Sequence, residues 1–199
     1  MTEFLAFNKW STEGIHVDDP GVAPYICIKP VIVPRSFGRH VGSKFHKSKV
    51  FIVERFMNKL MVPGHRSKKH FKSSGFCTGK SGTVYKILLK ALERVEETTK
   101  ENPVKVFVKA VENAAPREEI ITIEYGGARY PKAIECAPQR RVDIALRYFA
   151  QGAYLKSFNT KKLSVQAVAD EILNAYNGTT GSLAIAKKQE IERQADALR

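Results

Sequence analysis

Apolar residues recur at helical spacing over most of this chain, from Val50 onward. This spacing constrains the fold more than any other feature of the sequence, because each such stretch needs a partner surface to cover its apolar side. Six helices are predicted: from about Val50 to Pro63-Gly64, from Ser81 as N-cap, from Asn102-Pro103, at about 139–152, at about 164–176 and from about Ser182. The sequence therefore predicts a mainly α fold.

The periodicity changes between the third and fourth helices. Two β-prone runs, Glu119–Tyr125 and Ala128–Cys136, flank Gly126-Gly127, a pair that readily adopts the positive φ angles of a tight turn. Pro131 restricts its strand to a sheet edge. Because a two-stranded ribbon is marginally stable alone, it must lean on the helices or protrude towards a partner. We predict a protruding hairpin whose partner-facing residues are Tyr125, Gly126, Gly127, Arg129, Tyr130 and Lys132.

The N-terminal part of the chain is predicted to be extended. Prolines and glycines interrupt every short apolar run there, from Pro20 to Gly38. With 199 residues, 43% of them hydrophobic, the chain can bury the core of one domain that carries such an arm. We therefore expect an extended basic arm at 1–49, ordered only with its partner, and one helical domain at 50–199 with the hairpin at about 119–136.

Basic residues are concentrated between Lys29 and Lys90. This window contains fifteen lysines and arginines and one acidic residue, Glu54, whereas the rest of the chain contains eighteen basic and nineteen acidic residues. The positive charges of such a window repel one another unless a polyanion neutralises them, so nucleic acid is the predicted partner. The alternatives are a solvated lysine face, which usually mixes both signs, and a membrane surface, which usually meets one amphipathic helix.

No feature of the sequence predicts an enzyme, a cofactor or a metal site. The run Gly75–Ser81 imitates a phosphate-binding loop but has three residues between its glycines, where that motif has four. The five histidines include no H-E-x-x-H pattern. The three cysteines, Cys27, Cys77 and Cys136, form no C-x-x-C pair and are expected to be reduced. With no apolar stretch of about twenty residues and no signal peptide, a cytoplasmic location is expected.

Several separate motifs resemble one family in the right order. They are R-F-M-N-K-L-M at Arg55–Met61, N-P-V-K-V-F-V-K-A-V-E-N-A-A-P at Asn102–Pro116, Gly126-Gly127-Ala128, and P-Q-R-R-V-D-I-A-L-R at Pro138–Arg147. Over about 50–199 the chain resembles the small-subunit ribosomal protein S-seven family. Lys9–Thr12, Gly38–His40 and Ile52–Arg55 resemble its archaeal and eukaryotic branch. The chain departs from the family at Ser81, where a second base usually follows Gly79-Lys80, and in a longer loop at 65–78.

The resemblance implies a non-catalytic structural protein of the small ribosomal subunit. Such a protein binds the 3′ major domain of the ribosomal RNA and nucleates assembly of the subunit head. Its hairpin lies near the exit-site transfer RNA and the messenger path, and its neighbours are head and platform proteins. We expect a cytoplasmic ribosomal protein that is a monomer when free.

The residues expected to contact ribosomal RNA are basic residues, mostly of the arm, the following loop and the fourth helix. They are Arg35, Arg39, His40, Lys44, Lys47, Lys59, Lys68, Lys69, Lys72, Lys80, Arg140, Arg141 and Arg147. Lysine and arginine would release counterions from the RNA, while the tyrosines and histidines would stack on unpaired bases. We also expect that Arg140 and Arg141 can be replaced by alanine with little loss of thermal stability.

Two other functions remain open at the level of sequence. A DNA-binding or chromatin protein would use the basic arm and one helix, but a helix that reads the major groove clusters Arg, Asn or Gln on one exposed face. Here the bases lie mainly in loops, which suits irregular folded RNA better. A nucleotide hydrolase is the third possibility, and it depends on the incomplete phosphate loop.

Overall fold

The computed structural model describes residues 4–63, 65–66, 69–70 and 79–199. These residues contain six α-helices and two antiparallel strand pairs. The helices are α1 (Ile52–Leu60), α2 (Ser81–Thr99), α3 (Pro103–Ala114), α4 (Pro138–Ser157), α5 (Ser164–Tyr176) and α6 (Leu183–Asp196). The strands are β1 (His65–Arg66), β2 (Lys69–His70), β3 (Glu118–Tyr125) and β4 (Ala128–Glu135). The predicted fold class, mainly α with one protruding hairpin, is confirmed.

The core lies between the helices, with α5 packed against α2, α3 and α4. Three fully buried rings meet at its centre, one each from α1, α3 and α4. The ring centroids of Phe56 and Phe107 are 5.2 Å apart, and Phe149 lies 6.1 Å from Phe56 and 6.4 Å from Phe107. Aromatic pairs at such distances contribute about 0.5–1.5 kcal/mol each beyond the area they bury. The Phe cluster therefore ties α1, the helix that carries Arg55 and Lys59, to the rest of the domain.

The predicted N-cap at Asn102 and the predicted glycine turn are found where the sequence placed them. Asn102 Oδ1 accepts a hydrogen bond from Val104 N–H at 3.0 Å, and Pro103 occupies the first helical position. The Ser182 hydroxyl caps α6 by accepting from Ala184 N–H at 3.2 Å. Gly126 and Gly127 both have positive φ, as the hairpin turn requires. Ser81 differs by one position, since it is the first residue of α2 and Lys80 is the N-cap.

Helix α4 is longer than predicted. The expected end at Gly152 lies inside the helix, which continues to Ser157. The glycine is there for a packing reason rather than as a cap: a Cβ at Gly152 would lie 2.5 Å from Oε1 of Glu171 on α5. This side-chain approach from another helix is not visible in the local sequence.

The N-terminal segment is extended, as predicted, but its first half packs against the helices. Ala6, Phe7 and Trp10 are buried in the main core. Trp10 Nε1 donates to Glu96 of α2 at 2.9 Å, and Ile52 N–H donates to the carbonyl of Cys27 at 2.9 Å. This half of the segment is therefore continuous with the domain, whereas Arg35, Arg39 and Lys44 are exposed in its second half.

Within the described residues, no helix combines the length and the apolar character needed to cross a bilayer.

Candidate nucleic-acid interface

A buried arginine and its partners organise the start of the basic surface. Arg55 on α1 is 6% exposed, donates to the carbonyl of Tyr25 at 2.7 Å and pairs with Asp143 of α4 at 3.0 Å. Lys47, from the N-terminal segment, binds the other oxygen of the same carboxylate. Burial opposes ionisation of Asp143, but the hydrogen bonds and charges of Lys47 and Arg55 outweigh it, so the pKa of Asp143 lies below its ordinary value.

The positive charges around Asp143 outnumber it. Burial lowers the pKa of Lys59, and the nearby charges of Arg147, Lys47 and Arg55 lower it further, against the opposing attraction of Asp143. Four basic side chains, those of Lys47, Arg55, Lys59 and Arg147, thus lie around the single carboxylate of Asp143. Such a cluster gains from an additional anion that would neutralise the excess charge, and phosphate is the anion that a nucleic acid supplies.

Two adjoining cavities open on this cluster. One, of about 550 Å³, is lined by Lys59 and Arg147 together with Asn58 and Gln151. The other, of about 610 Å³, is lined by four bases of the N-terminal segment and again by Asn58. We call the surface around both cavities the basic face; it consists of Arg35, His40, Lys44, Lys47, Lys59 and Arg147.

The basic face has almost no opposing charge. Among the described residues that line its two cavities, Glu54 is the acidic one. Its carboxylate is 4% exposed and accepts the backbone N–H of Ser36 at 2.7 Å. The single acid of the basic window therefore anchors the loop to α1 and is shielded from a ligand.

The remaining predicted bases are distributed around this surface. Arg39 is exposed in the same loop but lines neither cavity. Lys80 is exposed and adjoins Ser81, which lines the larger cavity. Lys69 lies in β2. Lys68 and Lys72 lie outside the described residues, as do Cys77 and most of the loop that imitates a phosphate-binding motif.

Arg140 and Arg141 stand apart from the basic face and differ from each other. Arg140 is exposed and pairs with Glu119 of β3 at 2.7 Å, a hydrogen bond that raises the pKa of the guanidinium. Arg141 is 9% exposed; it donates to Asp19 at 2.7 Å and to the carbonyl of Pro116 at 3.1 Å. The structure argues against the expectation of little loss of thermal stability for Arg141, because its buried guanidinium joins the N-terminal segment to α4.

The hairpin protrudes and exposes two tyrosine rings. β3 leans on α6 near its base, while Tyr125 is 81% and Tyr130 58% exposed. Arg129 pairs with Glu124 at 3.5 Å, so its charge is partly compensated. Lys132 is opposite Ile121, on the same face as the Ile123–Tyr130 pair. Recognition by the hairpin would thus depend on stacking and apolar contact more than on phosphate charge.

Sequence reasoning missed the inner layer of this site. Arg55 and Asp143 were not among the predicted site residues, although both fall in segments that resemble the family. An acidic residue on one helix and a base on another reveal their pairing only after folding. Phe37, an exposed ring at the rim of the larger cavity, was also missed, because an aromatic residue in a loop carries no periodic signal.

Among the described residues, no group of three or more His, Cys, Asp or Glu side chains is arranged so that it could hold a metal ion. Cys27 and Cys136 are free thiols, and burial raises the pKa of Cys136 to about 11, which keeps that thiol protonated and unreactive.

Known proteins are similar to this chain over nearly its whole length. It is 51% identical over 194 residues to the small ribosomal subunit protein uS7 of Nanoarchaeum equitans, covering 97% of this chain and 98% of the relative. It is 44% identical over 197 residues to the protein of the same name from Archaeoglobus fulgidus, covering 99% and 96%. The corresponding Methanosphaera stadtmanae protein is 45% identical over 192 residues, covering 96% and 97%. The family model described as Ribosomal protein S7p/S5e matches residues 23–199, and the chain therefore belongs to this family, in its archaeal-type branch.

Proposed function

We propose that this protein is a structural constituent of the small ribosomal subunit and that its basic face binds ribosomal RNA. Family membership supports the ribosomal role, since the relatives are small-subunit proteins. The observation that carries the RNA-binding part is the convergence of six basic side chains on two adjoining cavities. Among the described lining residues, the one acid is Glu54, which is bonded internally.

The proposed mechanism relies on shape and backbone charge. Segments as distant in sequence as 35–47 and Arg147 meet on one rigid surface, because the Arg55–Asp143 pair and the Phe cluster hold α1 against α4. Such a surface can contact the phosphates of several RNA strands simultaneously, and each lysine or arginine contact releases counterions. No step of this function requires a cofactor or a chemical reaction by the protein.

The finer assignments follow from the family resemblance. The RNA would be the 3′ major domain of the small-subunit ribosomal RNA, and binding would nucleate assembly of the subunit head. The hairpin, on which Tyr125 and Tyr130 are exposed, would lie near the exit-site transfer RNA and the messenger path. Head and platform proteins would be its neighbours. The protein would be cytoplasmic, within the ribosome, and monomeric before assembly.

The test compares RNA with DNA at matched charge. Binding of the full chain to a fragment of the 3′ major domain and to duplex DNA of equal charge is titrated from about 50 to 200 mM salt. We expect a preference for the RNA fragment that persists at the higher salt. Equal affinities that fall together would show a general polyanion binder and would favour the DNA-binding alternative.

A further inference from the structure

The larger cavity of the basic face has an apolar interior beneath its charged rim. Val50 and Met57, which line it, are 7% and 1% exposed, and Met61 is half-buried. Arg35, His40, Lys44 and Lys47 line the same cavity. A surface that only neutralised phosphate would need no apolar interior, so this cavity is suited to a ligand with a flat apolar part and a negatively charged part.

An exposed aromatic ring stands at this cavity. Phe37 lines it and is nevertheless 84% exposed. Its φ of +49° lies in the left-handed region, which is uncommon for an aromatic residue, and Gly38 follows with a φ of +74°. The turn is closed by Arg39 N–H, which donates to the carbonyl of Ser36 at 3.2 Å. Strain of this kind persists only where the surroundings impose it.

The surroundings that impose this conformation are visible. Ser36, directly before Phe37, donates its N–H to the buried carboxylate of Glu54 on α1. The backbone of the turn is thus fixed to a helix of the core, and the ring of Phe37 stands uncovered on it. An exposed ring on an anchored turn can accept a second flat ring without rearrangement of the backbone.

We propose that this cavity binds one unpaired nucleotide of the RNA, with its base stacked on Phe37 against the apolar interior and its phosphates on Arg35, Lys44 and Lys47. The inference rests on the proposed RNA-binding function and adds a specific site to it. A cavity of about 610 Å³ falls in the range of small-ligand sites. Single-stranded and bulged bases are the parts of RNA that proteins can stack on, because paired bases are covered by their neighbours.

Charge favours this occupant over an apolar protein segment. Among the described residues, four basic side chains line the cavity along with the buried Arg55, against one acid, Glu54, that is internally bonded. A purely apolar segment would leave those basic side chains without counterions. A nucleotide supplies both the flat ring and the negative charge.

The experiment uses two RNA hairpins that differ at one position. In one, a single 2-aminopurine is bulged out of the stem; in the other, the same base is paired. We expect the full chain to bind the bulged hairpin about tenfold more tightly, within the range for stacking of one base on an aromatic side chain, and to quench its fluorescence. Phe37→Ala should abolish both the preference and the quenching, and Phe37→Tyr should retain them.

Phe45→Ala is the matched control. Phe45 is an exposed aromatic residue of the same basic segment, at 63%, but it does not line the cavity. It should leave the preference intact. Equal binding of both hairpins by the wild type would overturn the nucleotide pocket, leaving the cavity to a protein segment or to no ligand, while the general RNA affinity would still stand. Equal losses in the two alanine variants would also overturn it, and absence of any RNA binding would remove the proposed function as well.

Discussion

Glu171 on α5 packs directly against the backbone of Gly152 on α4, with Oε1 only 2.5 Å from the position of a Cβ at that glycine. The carboxylate is fully buried. It accepts the Ser182 hydroxyl at 2.8 Å and Leu183 N–H at 2.6 Å, and pairs with Lys156 at 2.5 Å. One side chain therefore joins α4, α5 and the N-terminus of α6, where the helix dipole favours a negative charge.

Replacing Gly152 with alanine should destabilise the protein. In an exposed helix this change would stabilise by about 0.5–1 kcal/mol, but here we expect a loss of about 1–3 kcal/mol, since the hydrogen bonds of Glu171 prevent it from moving away. Urea unfolding measures the difference. Gly42→Ala is the control, because a Cβ there meets no atom within 4 Å. Unchanged stability of the Gly152 variant would mean that Glu171 can be displaced at little cost.

The adjacent arginines of α4 should separate stability from binding. Arg141→Ala removes the buried partner of a part-buried ion pair with Asp19, and we expect it to lower the free energy of unfolding by about 1–3 kcal/mol. Arg140→Ala removes a more exposed pair and should cost about 0.2–1 kcal/mol. Thermal unfolding of the two variants gives the comparison. Similar melting temperatures would contradict the structural role of Arg141.

Acid should remove the stabilisation that Asp143 provides. Its folded-state pKa lies below the ordinary value of 3.8, so the ionised group stabilises the folded protein above that value. This stabilisation is lost as the pH falls through the lower folded-state pKa. Asp143→Asn should therefore be less stable than the wild type at neutral pH, and the difference should vanish in strong acid. Urea unfolding across this pH range tests it.

Asp196→Asn is the control for the pH experiment. Asp196 is near the C-terminus, its side chain is 70% exposed, and its ion pair with Arg199 at 3.9 Å is weak. Its replacement should change stability little at any pH. A gap between Asp143→Asn and the wild type that stays constant into strong acid would show that packing of the side chain, rather than its charge, is what matters.

Removing one basic side chain from the basic face should reduce the salt dependence of RNA binding. Arg147 is exposed and lines the smaller cavity, so Arg147→Gln should weaken binding and lower the slope of log affinity against log salt by about one. Lys105→Gln is the control, since Lys105 lies on α3, away from both cavities, and pairs with Glu101. Equal slopes for Arg147→Gln and the wild type would exclude a phosphate contact at Arg147.

Local signals in the sequence predicted most of the elements. Asn102-Pro103 marked the start of α3, Gly126-Gly127 marked the hairpin turn, and the apolar spacing of α5 gave its observed bounds, Ser164–Tyr176. These succeed because capping, turn formation and amphipathic spacing depend on residues only a few positions apart. The failure at Gly152 has the complementary cause, since its partner Glu171 lies on another helix.

The basic composition of the window predicted a nucleic-acid partner. The sequence motifs predicted membership of the ribosomal family. Only the tertiary structure showed which basic side chains lie together on one surface. It brought Lys47, Lys59 and Arg147 around Asp143, buried Arg141 against Asp19, and placed Phe37 in the lining of the larger cavity. Burial and pairing depend on where separate helices meet, and that is decided by packing of the whole chain rather than by neighbours in sequence.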